Sequence, residues 1–95
     1  MSEPVATQAT VREAGEGDVE VVATAVENLL GELGGRRPER PELEAEVRAL
    51  LDDPEGGSVL IAEADGETVG VLSASWQRAI HVPGVYATIQ DLWVD

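Results

Sequence analysis

Val85-Tyr86-Ala87-Thr88-Ile89-Gln90-Asp91-Leu92-Trp93-Val94-Asp95 is the last stretch of the chain, and its reading governs the rest. It is rich in β-branched and aromatic residues and contains neither Gly nor Pro, so it reads as a strand. No turn, return strand or covering helix follows it in the sequence. A terminal apolar strand of this kind is expected to leave N–H and C=O groups unpaired on one side. Such an edge invites pairing with another chain. A second polypeptide or a second copy lying along this strand is therefore the expected partner, and an oligomer the expected state.

Working back from this strand, Gln77–Gly84 reads as a connection ending in Pro83-Gly84. Before it, Val59–Ala64 and Glu67–Trp76 are two strand-like runs around Asp65-Gly66, a strong hairpin signal. Gly70, inside the second run, implies a bulge or the close approach of another element. The loss of alternation at Gln90-Asp91-Leu92 fits a second bulge.

Two helices precede the strands. Val19, Val22, Ala23, Val26, Leu29, Leu30 and Leu33 recur at helical spacing. Asp18 is placed to cap that helix and Gly34-Gly35 to end it. Leu43, Val47, Leu50 and Leu51 give a second apolar face. Pro41 opens that helix, Glu44 and Arg48 pair along it, and Asp52-Asp53-Pro54 stops it. Upstream, Val5–Arg12 alternates as a half-buried strand centred on Ala9–Glu13, and residues 1–4 read as a flexible tail. The order is strand, helix, helix, strand, strand, strand. That is an α+β pattern with a mostly antiparallel sheet, helices on one face, and an exposed terminal strand.

Composition sets the outer limits. The 95 residues make one domain, 1–95. Hydrophobic residues reach 43%, which excludes general disorder. With two Trp, one Tyr and no Phe, the core must be built from Val, Leu, Ile and Ala. Such a core is light for its length, as if more protein packs against it. The absence of Cys excludes disulfides and thiolate metal sites, and one His leaves no metal constellation. No basic and apolar leader opens the chain, and no stretch approaches the ~20 apolar residues of a membrane span. A cytoplasmic protein is expected. The net charge of −13 argues against nucleic-acid binding. It suits attraction of cationic substrates such as amines, and equally a surface that is simply solubilising.

In order and spacing, several segments together resemble the N-terminal half of the GNAT acyltransferase superfamily over about residues 9–95. Thr10-Val11-Arg12-Glu13-Ala14 with Gly17-Asp18 looks like the family's opening strand and the start of its first helix. Val59 through Leu72 looks like its second and third strands, and Ile89 through Asp95 like the end of its fourth. The resemblance implies a single, incomplete GNAT-like domain. It implies N-acetyl transfer from acetyl-CoA, as co-substrate, to a small amine. The family's glycine-rich pyrophosphate loop follows the fourth strand, and this sequence ends just before the place where it would begin. Glu55-Gly56-Gly57-Ser58 is no substitute, because it leads into a strand rather than a helix. The expectation is an acceptor-binding half that is active only when a C-terminal half completes it.

The resemblance also places roles on single residues. The backbone of Leu92, Trp93 and Val94 would pair with the pantetheine arm of acetyl-CoA, as a strand edge receives an extended amide ligand. Gln90 stands where a carboxylate often sits and cannot act as a base. Asp91 is the candidate for holding the ammonium group or taking its proton. Either reading leaves alternatives: Leu92 and Val94 as core, Asp91 as a hydrogen-bonded bulge residue. His81 lies in the loop before the last strand and is a secondary candidate base. Tyr86 comes too early in the strand to act as an acid on the leaving thiolate. The adjacent Arg36-Arg37 could clamp an anion or be a solvated loop. A different outcome for the same half-fold is a non-catalytic dimerisation or partner-binding module.

Overall fold

A computed structural model describes residues 9–95. The tail 1–4 and the Val5–Gln8 part of the expected first strand lie outside the described residues. Four strands form one antiparallel sheet in the order β1-β2-β3-β4: β1 Thr10–Glu13, β2 Gly57–Ala64, β3 Glu67–Ala79 and β4 Val82–Val94. Two helices, α1 Val19–Leu33 and α2 Arg40–Leu51, lie between β1 and β2 in sequence. The expected α+β order is the observed one.

The register explains the core. Val59–Ser73–Asp91 and Ile61–Val71–Trp93 form two cross-strand rows on the face beneath the helices. Val19, Val22 and Ala23 of α1, with Leu43 and Val47 of α2, close over them. Ile61 and Ala23 are fully buried. The opposite face carries the rows Leu60–Leu72–Leu92 and Val11–Ala62–Gly70–Val94. No described element covers it, so Val11, Leu92 and Val94 stay 65%, 53% and 70% exposed.

Local chemistry sets the boundaries. Asp65 (φ 52°) and Gly66 (φ 78°) make the tight turn of the β2–β3 hairpin. Gly34, at φ 76°, ends α1, and its N–H bonds the Leu30 carbonyl at 3.0 Å. Gly70 is a close-approach glycine: a Cβ there would lie 3.4 Å from the Trp93 carbonyl oxygen and 3.5 Å from the Ala62 Cβ. A bulge beside it leaves Val69 opposite no partner between the pairs Ala62–Gly70 and Glu63–Thr68.

Three expectations change. The segment expected as a connection, Gln77–Gly84, is mostly strand. β3 runs on to Ala79, Ile80-His81 forms the turn, and β4 begins at Val82. Pro83-Gly84 is absorbed as a bulge between the pairs Ala79–Val82 and Arg78–Val85, with Gly84 at φ 110°. Proline lacks the N–H a regular ladder needs, but a bulge does not require it. Asp18 occupies the N-cap position of α1, but its carboxylate does not cap that helix. It turns back instead, accepting from the Gly15 N–H at 2.7 Å and from both terminal nitrogens of Arg12 at 2.8 Å. Leu33, counted with the apolar face of α1, is 72% exposed, whereas Ala25 is buried toward β4.

Arg40 fastens the helices together, a role the sequence did not disclose. It donates to Glu44 at 2.9 Å on its own helix, and to the Glu20 carbonyl and Thr24 hydroxyl of α1 at 3.0 Å each.

Candidate functional site

The bulge in β4 creates the site. Ser73 pairs with Asp91 and Ala74 with Ile89, so Gln90 is the extra residue. A bulge lets two successive side chains crowd one face instead of alternating. Asp91 sits on the helix side and is half-buried, with the Ser73 hydroxyl donating to its Oδ2 at 2.6 Å. Gln90 reaches the same face, where its amide nitrogen donates to the Ser75 hydroxyl at 3.0 Å. Ser73 is the one polar residue among the buried side chains of the described residues, and Asp91 satisfies it.

Above this floor lies a cleft of about 550 Å³ between the helices and the sheet. Val22, Val26, Leu43, Val47, Leu50 and Val59 supply much of its wall. Ser73, Ser75, Gln90 and Asp91 form its polar end, and Glu46 and Asp53 also line it. The volume falls within the ~300–1,000 Å³ of small-molecule sites, which pair apolar walls with a few placed polar groups. Asp53 is already engaged with the Gly56 N–H at 3.1 Å.

The outer edge of β4 has no strand beside it among the described residues. The Asp95 N–H bonds the Val69 carbonyl at 2.9 Å, and Trp93 pairs with Val71. Ladder groups alternate along an antiparallel strand, so the main-chain groups of Leu92 and Val94 face the open edge. Trp93 turns its main chain to β3, while its side chain packs on the core beside α1. Of the three backbone positions assigned by resemblance, Leu92 and Val94 thus have groups available at the edge.

Asp91, Leu92, Trp93 and Val94 follow one another along β4, with Asp91 and Trp93 on the helix face and Leu92 and Val94 on the opposite face. His81 lies in the turn at the far end of the β3–β4 ribbon, roughly 20 Å along the strands from Ser73–Asp91. Tyr86 pairs with Gln77 on that same ribbon. Arg37 lies near Gly31 and shares a shallow depression with Trp93, Val94 and Asp95; Arg36 does not line that depression. Sequence reasoning missed Ser73 and Ser75. Their alternation within Ser73-Ala74-Ser75 put both on one face, but only the register showed that Asp91 and Gln90 lie opposite. Among the described residues, no group of three or more His, Asp or Glu is arranged to hold a metal ion, and neither helix is long and apolar enough to cross a membrane.

These elements, in this order and with this bulge, define a partial GNAT acetyltransferase fold. No protein-family model and no curated protein matches the sequence. Solved structures do. One described as a possible acetyltransferase from Clostridium difficile 630 is 25% identical, with a TM-score of 0.82, over 92% of this chain and 57% of that one. An aminoglycoside N-acetyltransferase in complex with CoA superposes with a TM-score of 0.76 at 16% identity, over 98% of this chain and 59% of its own. A GNAT family acetyltransferase from Staphylococcus aureus gives 0.69 at 11% identity, over 90% of this chain and 62% of its own. The chain thus spans somewhat more than half the length of the structures it matches.

Proposed function

We propose that this chain supplies the acceptor-binding half of an N-acetyltransferase that moves an acetyl group from acetyl-CoA to a small amine. The observation that carries this reading is the cleft with Asp91 at its floor, directly beside the open edge of β4. The two substrates of such a reaction would meet there, the amine from the cleft and the thioester along the edge.

In this mechanism the ammonium group docks at Asp91, which takes one proton. The free amine attacks the thioester carbonyl carbon, forming the C–N bond as the C–S bond breaks. The departing thiolate takes the second proton from nitrogen, and Asp91 returns its own to water. Ser73 holds the carboxylate in place through this exchange. No covalent enzyme intermediate is required, so positioning and proton removal are the work of the site. The outward main-chain groups of Leu92 and Val94 suit the amides of a pantetheine arm, as a strand edge suits an extended peptide. The absence of cysteine suits a cytoplasmic, reducing setting.

Completion of the fold is part of the proposal. The open edge of β4 and the apolar back face at Leu60, Leu72, Leu92 and Val94 are where further protein would pack, either in the same polypeptide or in another. The test is to assay CoA release with an amine acceptor for the chain alone and for the chain joined to a C-terminal GNAT half. The completed protein should bind acyl-CoA and turn it over, and the chain alone should not. If the completed protein binds no acyl-CoA, the enzymatic reading is wrong.

A further inference from the structure

We infer that the acceptor is a lipophilic primary amine with a single positive charge, rather than a polyamine or an aminoglycoside. This rests on the acetyltransferase reading above and narrows its substrate.

The argument is one of charge and surface. Asp91 is the one half-buried carboxylate lining the cleft, and it holds one Ser73 hydrogen bond, so its other oxygen is left for a ligand. Among the described residues no Arg, Lys or His lines the cleft, so none of them competes with a bound cation. An ammonium at this floor would receive one compensating charge, which a buried cation needs. A second cationic centre would have to lie along Val22, Val26, Leu43 and Val47, where desolvation would go unmatched. Glu46 and Asp53 are both exposed at the rim, where water and salt screen their charge far more than that of the half-buried Asp91. The walls instead match an aryl or branched alkyl body, whose burial is favourable in proportion to its apolar area.

The discriminating measurement is binding to the full chain, followed by calorimetry and backbone-amide shifts, with three probes. 2-Phenylethylamine carries the proposed features, 2-phenylethanol lacks the charge, and 1,4-diaminobutane has two charges and little apolar body. 2-Phenylethylamine should bind at least tenfold more tightly than either of the others and shift the amides of Ser73, Ala74 and Asp91. Asp91→Asn should lower its affinity to that of the alcohol, while far-ultraviolet dichroism shows an intact fold. Equal binding of amine and alcohol, tighter binding of the diamine, or shifts confined to residues outside the cleft would each overturn the inference. These readouts need no acetyl-CoA. Amine binding in the cleft without acetyl transfer by the completed protein would therefore remove the enzymatic reading alone. Diamine preference with transfer intact would remove this inference alone.

Discussion

Ser73 and Asp91 face one another across β3 and β4, with the Ser73 hydroxyl donating to the Asp91 carboxylate at 2.6 Å, one residue from the point where Gln90 slips out of register. The serine is buried and the carboxylate half-buried, so the serine is satisfied by the group it orients. Removing the hydroxyl by Ser73→Ala should cost about 1.5 kcal/mol, the low end for a hydrogen bond to a charged group because water can reach Asp91. Urea midpoints would measure that loss. In the completed enzyme, Asp91→Asn should lower kcat/KM by roughly 100-fold or more, since a general base typically contributes ~10²–10⁴. Unchanged kcat/KM in the asparagine variant would remove Asp91 from the chemistry.

The acid limit of the fold should be set in part by Asp18. Hydrogen bonds from the Arg12 guanidinium and the Gly15 amide hold its pKa at about 2, below the ordinary 3.8. A carboxyl depressed on folding contributes stability that is fully present above the unfolded value. That stability is lost as the pH falls from about 4 through about 2. Asp18→Asn should therefore flatten the dependence of stability on pH across that interval, leaving the slope above pH 5 unchanged. Denaturant midpoints from pH 2 to pH 6 would show it, and an unaltered acid limb would contradict it.

Gly57 is an unforgiving position despite an ordinary backbone. A Cβ there would run into the Ala74 carbonyl oxygen and approach Leu50 Cδ1 at 2.8 Å. The Leu50 side chain can turn aside, but the Ala74 carbonyl belongs to the backbone of β3 and can yield only by moving the strand. Gly57→Ala should destabilise the chain by about 1–3 kcal/mol, the usual range for overpacking. The matched control is Gly17→Ala, where a Cβ meets nothing within 4 Å and the midpoint should scarcely move.

Proline can test the edge of β4, because it removes one N–H and little else. Val94 directs its N–H outward, so Val94→Pro should change fold stability by less than about 1 kcal/mol, as edge prolines are tolerated. In the completed enzyme the same change should raise the acetyl-CoA KM at least tenfold. Trp93→Pro, which removes an N–H directed at β3, should unfold the chain. Equal tolerance of both variants would show that the assignment of inward and outward groups is wrong.

Much of this architecture was legible in the residues. Asp65-Gly66 between apolar runs could only be a tight hairpin, and Gly34 needed the positive φ that ends α1. Helical periodicity identified the buried faces of α1 and α2, because those faces follow from a local repeat. The end of β3 was illegible for an equally physical reason. Pro83-Gly84 is ordinarily a strand terminator, and only pairing with Arg78 and Ala79 across the hairpin makes it a bulge. The side-chain task of Asp18 was hidden too, because Arg12 reaches it only after β1 and α1 have been brought together.

By itself the sequence determined the order of elements and the apolar faces of the helices, which depend on neighbours a few residues away. Tertiary structure alone decided that Ser73 meets Asp91, that Arg40 ties α2 to α1, and that Leu92 and Val94 rather than Trp93 present main-chain groups at the open edge. Those outcomes turn on register and packing between segments distant in the chain. A shift of one residue in β4 would send Asp91 to the opposite face and empty the site of its charge.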